Sequence, residues 1–337
     1  MWFGLTDEVK SDATITALAD ADHMTDWGMR ILSERDPRYG PSGYHYGSVW
    51  PLFTGWAAVG EYRYHRPLPA YANLRANALL ALDGSAGHVT EVLSGAFFEP
   101  LSTSSPHQIW SSAMVISPLL RGTLGLQADA LHQRLGLSPH VPGDWTWWKA
   151  QHVRVGSGMF DLAYSSTADA ISLSITSPGG TKGTTLDFAP AISRNARVLG
   201  AEVNGAKAQC AIERSATDQH VRIRVPLDKP STTVRILVRD NFTLVVPSDL
   251  PMLGATSHNL KVVSESWTAE NDAVVYELAG ISGEQYVLGL RGSARIKNVE
   301  GADLVQTTSG PALQVRVPSG EPEYRKVRIT IHFGAAR

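Results

Sequence analysis

The chain has 337 residues, of which 43% are hydrophobic and 18% charged, and this composition excludes a largely disordered protein. The formal net charge of -2 leaves no basic excess to neutralise a phosphate backbone, so we expect no nucleic-acid partner. No apolar run reaches the roughly 18 residues of a membrane-spanning helix, and no membrane partner is expected. The single cysteine, Cys210, excludes an internal disulfide and a cysteine-rich metal site.

The first part of the chain predicts helices joined by long loops. Apolar residues at helical spacing indicate helices over 10–21, 48–63, 69–82 and 107–124. The last of these is apolar almost all round, which predicts burial in a larger body, and Pro118 is expected to kink it. The loop over 84–106 is long, and loops of this length in compact domains are usually functional.

From His152 onward the apolar pattern changes to a period of two, which predicts strands. Asn204-Gly205 predicts a tight hairpin turn, because both residues tolerate positive φ. Eight of the nine tryptophans precede residue 149, so the change in pattern coincides with a change in composition. We predict three domains: a helical part over 1–148, a β-sandwich over 149–245 and a second β-rich module over 246–337.

The common catalytic motifs are missing from the sequence. It has no phosphate-binding loop ending in Lys-Ser/Thr, no His-Glu-x-x-His and no Gly-x-Ser-x-Gly. We therefore expect no metal ion and no organic cofactor. What remains is a helical part rich in Trp, His and Tyr, with a few acids in its loops. This pattern suits carbohydrate chemistry, because aromatic rings stack on sugars and glycoside hydrolysis needs carboxyl groups.

Two segments carry the candidate site residues. Tyr44-His45-Tyr46-Gly47-Ser48-Val49-Trp50-Pro51 places aromatic rings at a helix entry, where they either contact a ligand or pack the helix. Glu91 lies among apolar residues shortly before Ser105-Pro106-His107-Gln108-Ile109-Trp110. It is either a general base in an apolar pocket or a carboxylate that anchors the loop. His107, Gln108 and Trp110 are either ligand contacts or packing and capping residues.

These segments, together with Glu91-Val92-Leu93-Ser94-Gly95 between them, resemble the glycogen-debranching-type amylo-α-1,6-glucosidases. That family belongs to the six-hairpin glycosidases, whose catalytic domain is an (α/α)6 barrel. The resemblance covers about residues 1–148. It implies a partial barrel of helical hairpins followed by β-sandwich domains, and an oligo- or polysaccharide substrate. Thr25-Asp26-Trp27-Gly28 resembles the loop that precedes the first motif in bacterial members.

The resemblance also implies residue roles. Inverting hydrolysis of an α-glucosidic linkage uses two carboxyl groups, and the position of the general base corresponds to Glu91. The residues expected to line the pocket are His45, Trp50, His107, Gln108 and Trp110. Asp26 and Trp27 are expected to shape its rim.

One departure affects what the chain does by itself. A closed barrel needs twelve helices, and the first part has room for about four to six. We therefore interpret the chain as the C-terminal portion of a larger glycosidase whose general acid lies in a missing N-terminal half. A half barrel would expose apolar helix faces, which predicts poor solubility or association. Without the half that holds the general acid, we expect no turnover by the chain alone.

Two alternatives stay open. One is a different six-hairpin exoglycosidase, such as a rhamnosidase-like enzyme. The other is a non-catalytic carbohydrate-binding or structural β-protein, whose aromatic candidates are Phe242, Trp267, Tyr276 and Tyr286. We expect most of these four to be core residues, and Trp145, Trp147 and Trp148 to pack the junction between domains. A cytoplasmic and a periplasmic or secreted location are both compatible with the sequence.

Overall fold

The computed structural model describes residues 1–177 and 183–335. Four α-helices occur in this part of the chain, together with a π-helical turn over Leu119–Thr123 and a short 3-10 turn over Ser293–Arg295. The helices are α1 (Glu8–Ala19), α2 (Pro51–Arg63), α3 (Pro67–Asp83) and α4 (Ile109–Pro118). A two-stranded hairpin, β1 (Met24–Thr25) with β2 (Gly28–Met29), lies between α1 and α2.

Local sequence explains where the helices begin and end. The side chain of Asp7 caps α1 by accepting a hydrogen bond from Lys10 N at 2.8 Å. Pro51 and Pro67 each occupy the first turn of a helix, where no intrahelical N–H is lost. Helix α4 ends at Pro118 and passes into the π-helical turn, because the proline cannot donate the next helical hydrogen bond.

The first β-sandwich consists of two sheets. One has the strand order β11-β10-β14-β7-β6-β5, and the other has the order β12-β13-β8-β4-β3 with β9 paired to β13. The β4–β8 pair is parallel. The strands of this sandwich are β3 (Leu126–Asp129), β4 (Arg134–Leu137), β5 (Trp147–Val155), β6 (Gly158–Ser166), β7 (Ala170–Thr176), β8 (Thr185–Phe188), β9 (Ala191–Ser193), β10 (Arg197–Val203), β11 (Ala206–Ala208), β12 (Ala211–Arg214), β13 (Asp218–Pro226) and β14 (Ser231–Arg239).

The second β-sandwich packs two four-stranded sheets, with orders β15-β18-β21-β20 and β16-β17-β22-β19. All of its strand pairs are antiparallel. Its strands are β15 (Thr243–Val245), β16 (Lys261–Trp267), β17 (Ala273–Ile281), β18 (Gln285–Arg291), β19 (Ile296–Glu300), β20 (Asp303–Thr307), β21 (Gly310–Arg316) and β22 (Tyr324–Phe333). Each sandwich buries its own apolar core between its sheets.

The predicted partial (α/α)6 barrel is wrong. Strands make up 40% of the structure and helices 18%, and the described residues form no barrel of helical hairpins. Helices α2, α3 and α4 pack against one another, but α1 packs on strand β16 of the second sandwich. One face of α1 is therefore covered by a sheet. The other three helices form a small separate layer and do not close into a ring.

Helix α4 also differs from its predicted burial. We expected it to be covered almost all round, yet Ile109 and Ile116 are 74% and 53% exposed. The side that faces α2 and α3 carries buried Ser111 and Met114. The helix is apolar on both sides, but only one side has neighbours.

The first sandwich includes residues that we assigned to the helical part. The hairpin of β3 and β4 lies within 1–148, and β4 joins the sandwich sheet through β8. Its strands are short, so their period of two was not visible in the sequence. The Asn204-Gly205 turn is confirmed, with φ of 51° and 79° between β10 and β11.

Specific contacts join the helical part to the two sandwiches. Tyr71 of α3 packs edge-on against Trp145, with ring centroids 6.3 Å apart. Arg66, at the start of α3, donates to the carbonyl oxygen of Val263 in the second sandwich at 2.8 Å. Trp148 instead stacks on Tyr164 inside the first sandwich. Within residues 1–177 and 183–335, no helix has the length and hydropathy needed to cross a membrane.

Candidate functional site

The structure places Glu91 where two loops meet. Its Oε1 accepts a hydrogen bond from the Tyr44 hydroxyl at 2.7 Å, and its Oε2 accepts one from Ser105 N at 3.2 Å. The backbone N–H of Glu91 donates to the carbonyl oxygen of Ser105 at 2.9 Å. Glu91 is 8% exposed, so the carboxylate is held in one orientation with most of its surface covered.

Aromatic rings surround Tyr44 at this junction. The Tyr44 ring packs edge-on against Trp50 and His45, with centroids 4.6 and 4.7 Å apart, and His45 lies parallel to Trp50. The buried Trp50 indole N–H donates to the Tyr44 carbonyl oxygen at 3.0 Å, while His45 is exposed. The hydrogen bond to Glu91 raises the pKa of Tyr44, so the phenol stays protonated as a donor to the carboxylate.

The remaining motif runs alongside the loop that carries Glu91. Gln108 N donates to the carbonyl oxygen of Val89 at 2.9 Å, and His107 stacks on His88 with ring centroids 4.0 Å apart. Trp110 follows in the first turn of α4 and is 40% exposed. The fold thus places His107 and Gln108 beside the loop that carries Glu91. Trp110 follows them at the start of α4.

Backbone contacts hold these loops together. Val49 and Leu93 exchange two hydrogen bonds of 2.9 Å, one in each direction. Arg30 donates through Nε to the carbonyl oxygen of Gly95 at 2.6 Å, and Gly95 N donates to the carbonyl oxygen of Pro41. The segment before α2 is therefore fixed to the segment that follows Glu91.

Asp26 and Trp27 do not lie at a pocket rim, which corrects our prediction. Trp27 is 0% exposed in a small core with Phe98, and its indole N–H donates to the carbonyl oxygen of Ser94. The buried Asp26 carboxylate accepts from Ser257 Oγ, from the backbone N–H groups of 258 and 259, and from Lys261 Nζ. Burial raises the pKa of Asp26, but Lys261 and these donors outweigh it and hold the pKa below its usual value.

The aromatic candidates of the second sandwich are structural. Phe242 and Tyr276 are 3% and 2% exposed in its core, and Trp267 stacks on Phe333 at 5.7 Å. The Tyr286 hydroxyl donates to the carbonyl oxygen of His258. The expectation that most of these side chains are core residues is confirmed, and they offer no exposed row of rings for a sugar.

Sequence reasoning missed a group of four side chains at the junction of α2 with the first sandwich. His65, His140, Asp218 and His220, named here the His–Asp cluster, place one ligand atom each within 4.8 Å of all the others. The four residues come from three distant segments, so no motif spacing links them. The only local signal is Asp218-x-His220, which puts two polar side chains on one face of a strand.

No protein-family model matches this chain, and no curated protein matches it in sequence. Among solved structures it is similar to an α-L-rhamnosidase from Dictyoglumus thermophilum, with 14% identity over 56% of this chain and 21% of that chain and a TM-score of 0.41. It is also similar to a cycloalternan-forming enzyme from Listeria monocytogenes in complex with a pentasaccharide substrate, with 9% identity over 85% of this chain and 34% of that chain and a TM-score of 0.28.

A third similar structure is a GH127 β-L-arabinofuranosidase from Geobacillus stearothermophilus T6, with 13% identity over 88% of this chain and 48% of that chain and a TM-score of 0.27. The chain spans less than half the length of each of the three structures. All three are named as enzymes of carbohydrate chemistry. Their TM-scores lie below 0.5, so these overlaps carry no argument about what this chain does.

Proposed function

We propose that this chain carries a saccharide-binding site of a glycoside hydrolase, with Glu91 as its general base. The observation that supports the proposal is the Glu91 carboxylate, held by the Tyr44 hydroxyl beside a cluster of aromatic rings. A carboxylate next to ring faces combines the group that hydrolysis needs with the surface that a sugar ring stacks on.

The hydrogen bonds of Glu91 suit a base. Each carboxylate oxygen accepts one bond, from Tyr44 or from Ser105, and keeps a second lone pair for a water molecule. A base orients and deprotonates the water that attacks the sugar. The debranching-type resemblance would make the reaction an inverting attack on an α-glucosidic bond, with a second carboxyl group roughly 6.5–9.5 Å away as general acid. We assign no residue of this chain to that acid.

Saccharide binding tests the proposal directly. Gluco-oligosaccharides and rhamnose-containing oligosaccharides, titrated calorimetrically into the chain, are expected to bind at one site. Replacement of the exposed ring in His45→Ala is expected to weaken binding about 2- to 10-fold, because it removes a ring contact. His332→Ala is the matched control, since His332 lies on the distant strand β22 and pairs there with Glu300 of β19. Failure of every saccharide to bind, or equal loss in both variants, would contradict the proposal.

The role of Glu91 has its own test. In an active enzyme that contains this chain, Glu91→Gln is expected to keep saccharide binding and lower turnover by about 10²–10⁴-fold, because the amide keeps the shape but cannot take a proton. Binding is measured by calorimetry and turnover by release of reducing sugar. Near-normal turnover of the variant would remove Glu91 from the role of base.

A further inference from the structure

The His–Asp cluster lies where the helical part meets the first sandwich. His65 is in the turn between α2 and α3, His140 follows β4, and Asp218 and His220 project from one face of β13. The carbonyl oxygen of His65 accepts a hydrogen bond from Thr217 Oγ1, which fixes this turn against the start of β13. Three segments of the chain therefore deliver their polar groups to one point.

The ligand atoms of His140, His220 and Asp218 stand close to tetrahedral spacing. The ligand atom of His65 lies beside the other Asp218 oxygen and within 4.8 Å of the remaining ligand atoms. His65 Nδ1 lies 2.9 Å from Asp218 Oδ1, and His140 Nε2 lies 3.1 Å from Asp218 Oδ2. His220 Nε2 is 3.3 Å from His140 Nε2 and 3.6 Å from Asp218 Oδ2. Four ligands at the zinc–nitrogen distance of about 2.0–2.1 Å stand about 3.4 Å from one another in a tetrahedron.

Hydrogen bonds around the cluster orient a lone pair inward. His220 Nδ1 lies 2.6 Å from the carbonyl oxygen of Ala189, a contact that requires the ring proton on Nδ1. The lone pair on Nε2 then faces the cluster, as in zinc sites whose ligand imidazole donates its other N–H to a carbonyl. Either an N–H hydrogen of His140 or a metal ion must then lie between this lone pair and His140 Nε2.

The buried state of the cluster favours a cation. Asp218 and His140 are 6% and 8% exposed. A carboxylate removed from water needs a compensating charge or several donors. Apart from the imidazoles, the Asp218 carboxylate accepts from Ser215 Oγ at 2.6 Å.

The cluster is reachable from solvent. The three imidazoles line a cavity of about 910 Å³, which gives an ion a path of entry. Arginines of the same cavity wall raise the cost of placing a cation there. Arg222 pairs with Glu213 and Arg134 lies 3.8 Å from Asp129, so part of that positive charge is already balanced.

We propose that His65, His140, Asp218 and His220 bind one Zn²⁺ ion that joins the helical part to the first β-sandwich. Three imidazoles and one carboxylate are a donor set that zinc accepts. Four protein ligands leave no open position, so the ion is structural, and His65 is the ligand through which it holds the α2–α3 turn on the sandwich.

The test is a titration of the full chain after removal of metals by a chelator. Zn²⁺ is expected to bind with 1:1 stoichiometry in calorimetry and to raise Tm, because it binds the folded state only. Co²⁺ at the same site is expected to show the intense visible absorption of tetrahedral Co²⁺. His140→Ala and His220→Ala are each expected to weaken the affinity at least about 10-fold.

Controls separate this site from surface histidines. His132→Ala removes an exposed histidine that contacts Asp129 at 2.8 Å, and it is expected to leave zinc affinity and the rise in Tm unchanged. His65→Ala, checked for folding by circular dichroism, is expected to abolish the rise in Tm. Absence of 1:1 binding to the wild-type chain would overturn the proposal, and so would zinc binding that both His140→Ala and His220→Ala retain.

Discussion

At the scale of single residues, Glu61 of α2 is a carboxyl group enclosed by the helical layer. It is 0% exposed, and its two oxygens accept from Asn73 Nδ2 at 3.2 and 3.0 Å. Burial, which outweighs the Asn73 hydrogen bonds and the charge of Arg66, raises the pKa of Glu61 from 4.5 to about 7. The protonated form therefore predominates in the folded protein below neutral pH.

The raised pKa of Glu61 predicts how the free energy of unfolding depends on pH. Between pH 4.5 and about 7 the folded chain keeps a proton that the unfolded chain has lost, so Glu61 lowers stability as pH rises through this window. Glu61→Gln is expected to reduce the decline and to add about 3 kcal/mol to the free energy of unfolding at pH 8. The measurement is urea unfolding at pH 5 and pH 8, with exposed Glu270→Gln as control. An equal change with pH in Glu61→Gln and the wild type would contradict the assignment.

At the scale of elements, the two loops that form the candidate site are held together by a close backbone approach at Gly95. A Cβ atom at position 95 would overlap the carbonyl oxygen of Gly47 and lie 2.9 Å from the Tyr39 hydroxyl. The glycine thus lets the segment after Glu91 lie against the segment before α2.

Gly95→Ala is expected to force these loops apart. We predict a loss of about 1–3 kcal/mol in the free energy of unfolding, since the obstacle is backbone that cannot rotate away. Saccharide affinity is expected to fall together with stability. Tyr44 and Glu91 lie on opposite loops, so separating the loops breaks the hydrogen bond between them. Gly40→Ala is the matched control, since nothing lies within 4 Å of a Cβ there. Equal denaturation midpoints for the two variants would show that the loops have more freedom than the structure implies.

At the scale of the whole molecule, the Asp26–Lys261 ion pair joins the helical part to the second sandwich. Both side chains are at most 3% exposed, and the Asp26 carboxylate also accepts from the backbone of the segment before β16. Burial lowers the pKa of Lys261, while the charge of Asp26 opposes that shift. The pair is a buried charge arrangement whose halves come from different domains.

Removal of one partner is expected to be costly. Asp26→Asn leaves the Lys261 charge buried without a counter-charge, which typically costs about 3–5 kcal/mol. Denaturant unfolding followed by tryptophan fluorescence measures the loss, and Asp249→Asn, whose side chain is 74% exposed, is the control. The double variant Asp26→Asn/Lys261→Met is expected to recover much of the stability. A double variant as unstable as Asp26→Asn would show that the lost backbone hydrogen bonds, and not the stranded charge, dominate.

Sequence by itself determined the local elements and the local candidates. Helical spacing located α2 and α3, alternation predicted strands from His152 onward, and Asn204-Gly205 predicted its turn. These signals come from residues that are close to one another in the chain, so the sequence alone is enough to detect them. The segments that carry Glu91 and Gln108 were singled out from local motifs in the same way, whereas the contact of Tyr44 with Glu91 is visible only in the structure.

Tertiary structure decided the assembly. The four helices of the described chain form no barrel, since α1 packs on β16. Asp26 lies in a domain junction because its partners come from 257–261. His65, His140 and His220 meet only because a helical turn, a loop and a strand converge there. Which groups are buried, paired or brought together depends on distances between segments that are far apart in the chain. Local periodicity reports only on residues that are close in sequence, so it cannot predict those distances.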